Sequence, residues 1–285
     1  HPEYRRQRQM CIRDREKINR SINSDLNSND SIDPNINFEV DRFHVLVVND
    51  NDLLIKNAQR LRFNTFFKEG SINNPDYILD SDEYDKFCDH LVVIDKSVSS
   101  HHVVGTYRLM INYSNNSKGD FYTETEFDLY NLKKLDLKIL EVGRSCVHKN
   151  YRDGKIIRLL WRGLSTYIKK SKVDFIIGCA SFQCNNTNTI RNQLSFLKNF
   201  YSAPKKYLTF PLKSKNAKWK SADISKISKL KIFKSLPPLI KAYLRVGAWV
   251  GEGAVFDPHF KTIDICIILK SDKIDPKYLK MAINH

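Results

Sequence analysis

Six stretches of the chain alternate or run apolar over strand-like lengths. They are FHVLVVN at 43–49, DHLVVID at 89–95, VVGTYRLMI at 103–111, KILEVGRSCV at 138–147, DFIIGCASF at 174–182 and TIDICIIL at 262–269. Between them lie segments with helical spacing. In GKIIRLLWRGLSTYIKKS (154–171), Ile157, Leu160, Trp161, Leu164, Tyr167 and Ile168 recur at three and four, which predicts the strongest helix. DLLIKNAQRLRFNTFFKE (52–69) predicts a helix capped by Asn51 or Asp52, TNTIRNQLSFLKNF (187–200) another, and FYTETEFDLYNLKKL (121–135) a short one. Strands interleaved with a few helices, without an internal repeat, predict one α/β or α+β domain.

Composition narrows this. The chain has 285 residues, 41% of them apolar, with 16 Phe, 13 Tyr and 3 Trp, enough for a core and too aromatic for general disorder. Its apolar runs are strand-sized, far short of the ~18 residues a membrane span needs. None of the six cysteines forms a CxxC pair, and Cys146, Cys179 and Cys266 sit inside apolar runs, so a reduced, cytoplasmic setting is expected. No HxxxH spacing occurs, so no metal is expected.

The net charge is +15, and its distribution matters more than its size. Between Lys205 and Arg245 stand twelve basic residues and one acid, Asp223. The first 17 residues add six bases against three acids, in a string (PEYRRQRQMCIRDR) that reads as non-native, and 19–37 is rich in Asn, Ser and Asp. The expected organisation is a non-native or disordered leader over 1–37, then one domain over 38–285 with a basic insertion at about 203–238. A basic nucleic-acid-binding module is disfavoured: the insertion's charge is almost all Lys, and aromatics do not interleave with it.

The element order is that of a GNAT-type N-acyltransferase, a mixed central sheet flanked by helices. The strings DEYDKFCDHLVVID (82–95), VVGTYRL (103–109), FYTETEFDL (121–129), LEVGRSCVHKNYRDGKIIRLLW (140–161), GCASF (178–182) and LPPLIKAYLRVGAWVGEGAVFDPHFKTIDICIIL (236–269) resemble the ornithine-lipid N-acyltransferases, distant relatives of the acyl-homoserine lactone synthases. The resemblance covers roughly 40–270. It implies an enzyme that moves a 3-hydroxyacyl chain from an acyl carrier protein thioester to the α-amine of L-ornithine, giving lyso-ornithine lipid. The carrier's phosphopantetheine thioester would be a cosubstrate, with no bound cofactor. A lactone synthase is the alternative, disfavoured by the chain's length and its LPPLIKAYLRVGAWVG tail.

That chemistry needs a base for the amine, donors for an oxyanion, and opposite charges for an amino acid's own groups. Glu141 and Arg144 lie three apart on one strand, which puts them on opposite faces unless a bulge intervenes, as the resemblance implies. Glu141 is expected as base or amine anchor, with Arg144 and Arg108 beside it in the catalytic group. Asp82, Asp85, Arg62 and Phe66 are expected to bind substrate, the two acids holding a cationic group or, as the alternative, locking Arg62 or Arg108. Arg62 and Phe66 are four apart on one helix, and the two acids suit a cationic head group. Val142, Gly143, Arg152, Gly154 and Lys155 are expected along the acyl-pantetheine. There the turn NYRDGK keeps one glycine of the usual phosphate cradle and carries a bulkier residue at the second, which favours a carrier-protein donor over coenzyme A.

In the basic insertion, apolar residues at 224, 227, 230, 233 and 236 recur at three, so no clean amphipathic helix is expected. Lys226, Lys229, Lys231 and Lys234 are expected to dock an acidic carrier or an anionic membrane surface, making the enzyme cytoplasmic and peripheral.

Overall fold

A computed structural model describes residues 36–68, 79–113 and 120–274. Most of the expected leader, residues 1–35, lies outside the described residues, as does most of the polar loop at 114–119.

The sheet begins with β1 (Asn37–Val40) and β2 (Phe43–Val48), which precede helix α1 (Asp52–Phe63). Strands β3 (Asp89–Asp95) and β4 (Val103–Tyr113) follow, then a two-residue β5 (Phe127–Asp128) and the central β6 (Lys138–Val147). Helix α2 (Lys155–Ser171) leads to β7 (Phe175–Phe182), α3 (Arg191–Tyr201) and a two-residue β8 (Phe210–Pro211). Helices α4 (Lys229–Ser235) and α5 (Pro238–Arg245) precede β9 (Trp249–Val250), β10 (Val255–Asp257) and β11 (Thr262–Lys270). The main sheet has the order β1-β2-β3-β4-β6-β7-β11-β10, with β9 also on β11, and β5 pairs β8 apart from it. Pairing is antiparallel throughout except between β6 and β7, where α2 makes the crossover. This is the mixed α+β acyltransferase fold expected from the element order.

Local chemistry explains the elements. Asn51 caps α1, its Oδ1 accepting from Leu54 N at 3.0 Å. α1 ends in a π-turn (Asn64–Lys68) where the sequence pattern predicts continuous helix. The expected helix at 121–135 is instead a 3₁₀ turn (Tyr122–Thr125), β5 and a single turn at Tyr130–Lys133. The physical reason is its alternation: Phe127, Leu129 and Leu132 all bury under the sheet, a spacing closer to extended chain than to helix.

One face of the sheet buries Val45, Leu91, Tyr107, Leu140 and Val142 under Ile156, Leu160 and Leu164 of α2, and extends to α3 and α5. The other face is covered in two patches. α1 packs Leu54, Ala58 and Leu61 on Val92, Ile94 and Cys146, while Phe121, Phe127 and Leu132 pack on Met110, Ile139 and Ile177. At roughly 1.5–3 kcal/mol per fully buried large apolar side chain, these contacts hold the sheet rigid beneath the site.

The basic insertion is less detached than its composition implies. Ile232 and Leu236 are core residues, so its end is a short helix, α4, packed on the domain; Pro237 and Pro238 separate it from α5, which Pro238 opens and which buries Ile240 and Tyr243. Lys226, Lys229, Lys231 and Lys234 face solvent, and Lys229 Nζ lies 4.0 Å from the Phe200 ring centroid.

Candidate active site

The site grows from an irregularity in β6. Gly143 pairs with Arg108 and Cys146 with Thr106, so Arg144 and Ser145 together oppose the single residue Tyr107. Arg144 takes up the extra length with φ 51°, a left-handed conformation unusual for a side chain of this kind. The bulge turns Arg144 to the same face as Glu141, although the two are three residues apart.

On its other edge β6 meets β7 at Ile139↔Phe175, Leu140↔Ile176 and Glu141↔Ile177, and among the described residues the pairing ends there. Beyond that point the strands diverge around a small cleft bounded by Val142, Gly143, Ser145, Gly178, Leu239 and Tyr243. Gly178 keeps the junction tight, because a Cβ there would sit 2.3 Å from the Val142 carbonyl oxygen. Tyr107 Oη and Tyr243 Oη meet at 3.4 Å across the cleft's α5 side. Val142 and Gly143 thus lie at this opening.

Arg152, Gly154 and Lys155 lie at the start of α2. Gly154 has φ 93°, which only glycine adopts without strain. Lys155 Nζ pairs with Asp41 Oδ2 at 2.6 Å, its backbone N–H donates to Asp153 Oδ1 at 2.8 Å, and Arg152 Nε donates to Val147 O at 3.0 Å. A carboxylate therefore caps the first N–H of the turn where a phosphate cradle was expected.

On the opposite face three arginines and three aspartates interlock. Arg62, wholly buried, donates to Asp80 Oδ2 at 2.7 Å, to Asp80 O at 2.6 Å and to both oxygens of Asp85 at 2.8 and 3.1 Å. Arg108 bridges Asp82 at 2.6 Å and Asp85 at 3.3 Å. Arg144 reaches Asp82 at 2.9 Å and Asp80 at 3.3 Å. Asp82 also caps the 3₁₀ turn Glu83–Phe87 in a capping box with Asp85. Burial pushes the Asp82 and Asp85 carboxyls up, but the guanidinium charges outweigh it and hold both below the usual carboxylate range. The structure brings Arg62, Asp82, Asp85, Arg108 and Arg144 together in one continuous chain of ion pairs. Phe66, on the π-turn, stands aside and meets Phe260 edge-on at 5.8 Å.

Glu141 lies beside this network. Its Oε2 accepts from Tyr122 N at 3.0 Å, and its Oε1 accepts from Thr123 N at 2.6 Å and from the Thr123 hydroxyl. Burial raises its carboxyl above the ordinary range, and the Thr123 and Tyr122 donors oppose that rise. Tyr122 turns its ring over Arg144, 4.7 Å from Cζ, with Phe260 on the same guanidinium at 4.7 Å.

The family model for the acetyltransferase (GNAT) domain matches residues 61–162, a span that holds Arg62, Asp82, Arg108, Glu141 and Arg144. Similarity to characterised proteins runs further. The L-ornithine N(alpha)-acyltransferase of Brucella abortus is 37% identical over 243 residues, covering 79% of this chain and 83% of that protein. That of Agrobacterium fabrum is 34% identical, covering 80% and 81%, and that of Rhodobacter capsulatus 31%, covering 79% and 88%. The chain belongs to the L-ornithine N(alpha)-acyltransferase family. It is an N-acyltransferase with a GNAT domain.

As an L-ornithine N(alpha)-acyltransferase family member it also carries residues at the site that the sequence does not single out. Asp80 completes the ion network, Thr123 holds Glu141, and Tyr243 closes the cleft from a helix far along the chain. Glu126, Asp257 and Asp264 form a buried carboxylate group on the same face as Glu141. One of these had a visible signal: Asp264 is an acid inside the apolar run TIDICIIL.

Proposed function

We propose that the protein transfers a 3-hydroxyacyl chain from an acyl carrier protein thioester to the α-amine of L-ornithine, forming lyso-ornithine lipid. The observation that carries this reading is the 37% identity, across 79% of the chain, to a protein named for ornithine Nα-acylation. The site suits the chemistry. The thioester enters the cleft where β6 and β7 part, with its carbonyl beside Val142 and Gly143, where a β6 backbone N–H released from pairing with β7 meets the oxyanion. The amine attacks the carbonyl carbon, the C–N bond forms, and the C–S bond breaks to release the pantetheine thiolate, which takes a proton to leave as thiol. The amine's proton passes to Glu141 through the Thr123 hydroxyl that already donates to it.

Arg144 is the most accessible of the three arginines, at 11% side-chain exposure against 4% for Arg108 and 0% for Arg62, and its partner Asp82 is 24% exposed. In this reading Arg144 exchanges Asp82 for the substrate carboxylate, while Arg62, Arg108, Asp82 and Asp85 hold it in place and Phe66 borders the entrance. A carrier donor is supported by Asp153, which occupies the first N–H of the α2 turn, and by Lys155, paired with Asp41; both leave less for a diphosphate. Lys226, Lys229, Lys231 and Lys234 then form the docking face for the acidic carrier. Among the described residues no helix is long and apolar enough to cross a membrane, so any membrane contact in this reading is peripheral.

The test mixes the protein with 3-hydroxyacyl-acyl carrier protein, or the matching coenzyme A thioester, and ornithine, lysine, glycine, glutamine or S-adenosylmethionine. Mass spectrometry should find acyl-ornithine from the carrier donor. Absence of product with every amino acid would remove the reading, and a lactone from S-adenosylmethionine would replace it.

A further inference from the structure

The reaction above leaves unused a set of buried acids on the face that carries Glu141. Glu126, Asp257 of β10 and Asp264 of β11 bring carboxylate oxygens within 4.8 Å of one another, all three residues buried. Among the described residues no lysine or arginine forms an ion pair with any of them. Burial first, and mutual repulsion next, keep the Glu126 carboxyl well above its usual range, and burial does the same for Asp264. Asp257 is fixed by the backbone, its Oδ1 accepting from His259 N at 2.7 Å and Phe260 N at 3.2 Å.

The oxygens left over point to a ligand. Glu126 Oε2 and Asp264 Oδ1 make no hydrogen bond of good geometry among the described residues, although the Cys179 thiol faces the Glu126 carboxyl and the Thr262 and Ser181 hydroxyls face that of Asp264. The Thr262 oxygen, 2% exposed on the same face of β11 two residues before Asp264, accepts from no described residue and can accept while its own proton turns to that acid. An ammonium carries three N–H donors, one for each of these acceptors, and its charge is what close buried carboxylates lack. The group adjoins Arg144 and Glu141, the residues proposed to meet the amino acid, on two sides. Phe260, bound to Asp257, stacks on Arg144, and Cys179 Sγ lies 3.8 Å from the Thr123 hydroxyl that serves Glu141.

We infer that Glu126, Asp257, Asp264 and Thr262 form the subsite for the side-chain ammonium of a diamino-acid substrate, which selects it against neutral amino acids. The inference rests on the proposed amino-acid N-acylation. Asp82 and Asp85, the acids expected to hold a cationic head group, are already joined to three arginines, and this second group is free to do so.

The test compares L-ornithine with L-norvaline, which has the same carbon chain without the terminal amine. It uses the wild-type chain, Asp264→Asn, and the double variant Glu126→Gln with Asp264→Asn. Ornithine should raise the melting temperature of the wild type and norvaline should not, and the variants should lose the ornithine shift. Their ratio of kcat/KM for ornithine over norvaline should fall about 30-fold or more through loss of ornithine, with norvaline turnover retained. Asp264→Asn alone serves if the double variant does not fold. A folded variant that keeps both the shift and the ratio overturns the subsite. A melting shift with magnesium or calcium chloride in place of ornithine, lost in the same variants, also overturns it by making the group a metal site. Ornithine binding that depends on these residues without acyl transfer to any amino acid would uphold the subsite and reject the transfer reaction.

Discussion

Replacing Arg62 by methionine keeps the unbranched apolar stem of the side chain and deletes its guanidinium and its charge. The structure shows what is lost: four hydrogen bonds, to Asp80 Oδ2, Asp80 O and both oxygens of Asp85, from a guanidinium with no solvent exposure. Asp80 keeps Arg144 at 3.3 Å and Asp85 keeps Arg108 at 3.3 Å, so neither acid is abandoned, but the group changes from three arginines and three aspartates to an excess of one buried negative charge. Removing one partner of a buried pair costs about 3–5 kcal/mol. For a chain of this size 1 kcal/mol moves Tm by about 2–4 °C, so the expected fall is about 6–20 °C. Urea denaturation followed by circular dichroism measures it. Asp85 adds a pH signature. Its carboxyl is held below the usual range, so its contribution is present above the unfolded-state pKa and is lost as pH falls through the folded one. The variant has less to lose, and the stability gap should narrow toward acid. Adding Asp85→Asn to Arg62→Met should recover part of the loss, because it removes the uncompensated charge. A cost below about 1 kcal/mol at neutral pH, or a gap that does not narrow, would refute the account.

Four further outcomes are expected. Glu141→Gln should lower turnover by ~10²-fold or more with the melting temperature retained, and unchanged turnover in an acyl-transfer assay would remove Glu141 from the chemistry. Gly178→Ala drives a Cβ toward the Val142 carbonyl and should cost about 1–3 kcal/mol and activity. Gly143→Ala meets nothing within 4 Å and should stay within about 1 kcal/mol of wild type; equal effects in thermal denaturation would contradict the geometry. Glu126→Gln should stabilise the protein more at pH 8 than at pH 5. The folded state retains a proton that the unfolded chain releases, so wild-type stability falls as pH rises, by about 1.4 kcal/mol per unit of raised pKa, and a neutral side chain escapes this. Changing Lys226, Lys229, Lys231 and Lys234 to Gln should weaken retention on immobilised acyl carrier protein at low salt; unaltered retention there, with loss on anionic vesicles, would assign the face to lipid.

Much of the sheet was legible because buried strands leave apolar runs that few other elements produce. FHVLVVN, DFIIGCASF and TIDICIIL each become strands within a residue or two of their expected ends, and the spacing of Ile157, Leu160 and Leu164 places α2. The short edge strands β1, β9 and β10 were missed, being too brief to show a period. α4 and α5 were hidden because Lys-rich sequence masks the few apolar positions, Ile232, Leu236 and Ile240, that anchor them. At the site, residue types were legible and partners only in part. Glu141 and Arg144 could be named from the resemblance of the string around them, but whether they share a face depends on one residue of slippage against β4, set by tertiary pairing. Asp82 and Asp85 showed as a pair of acids able to lock Arg62 or Arg108; that Asp80 and Arg144 join the same network depends on segments brought together only by the fold.

The ion network has a consequence for how the enzyme loses activity on heating. Its six members come from α1, the turn at 80–85, β4 and β6, and each arginine is shared between two acids. α1 cannot peel away without breaking Arg62's pairs to Asp80 and Asp85, the same acids that hold Arg144 and Arg108, so its fraying is not a cheap, local event. Thermal inactivation should therefore coincide with unfolding of the whole sheet instead of preceding it, and the site works as an internal lock on the cooperativity of the domain.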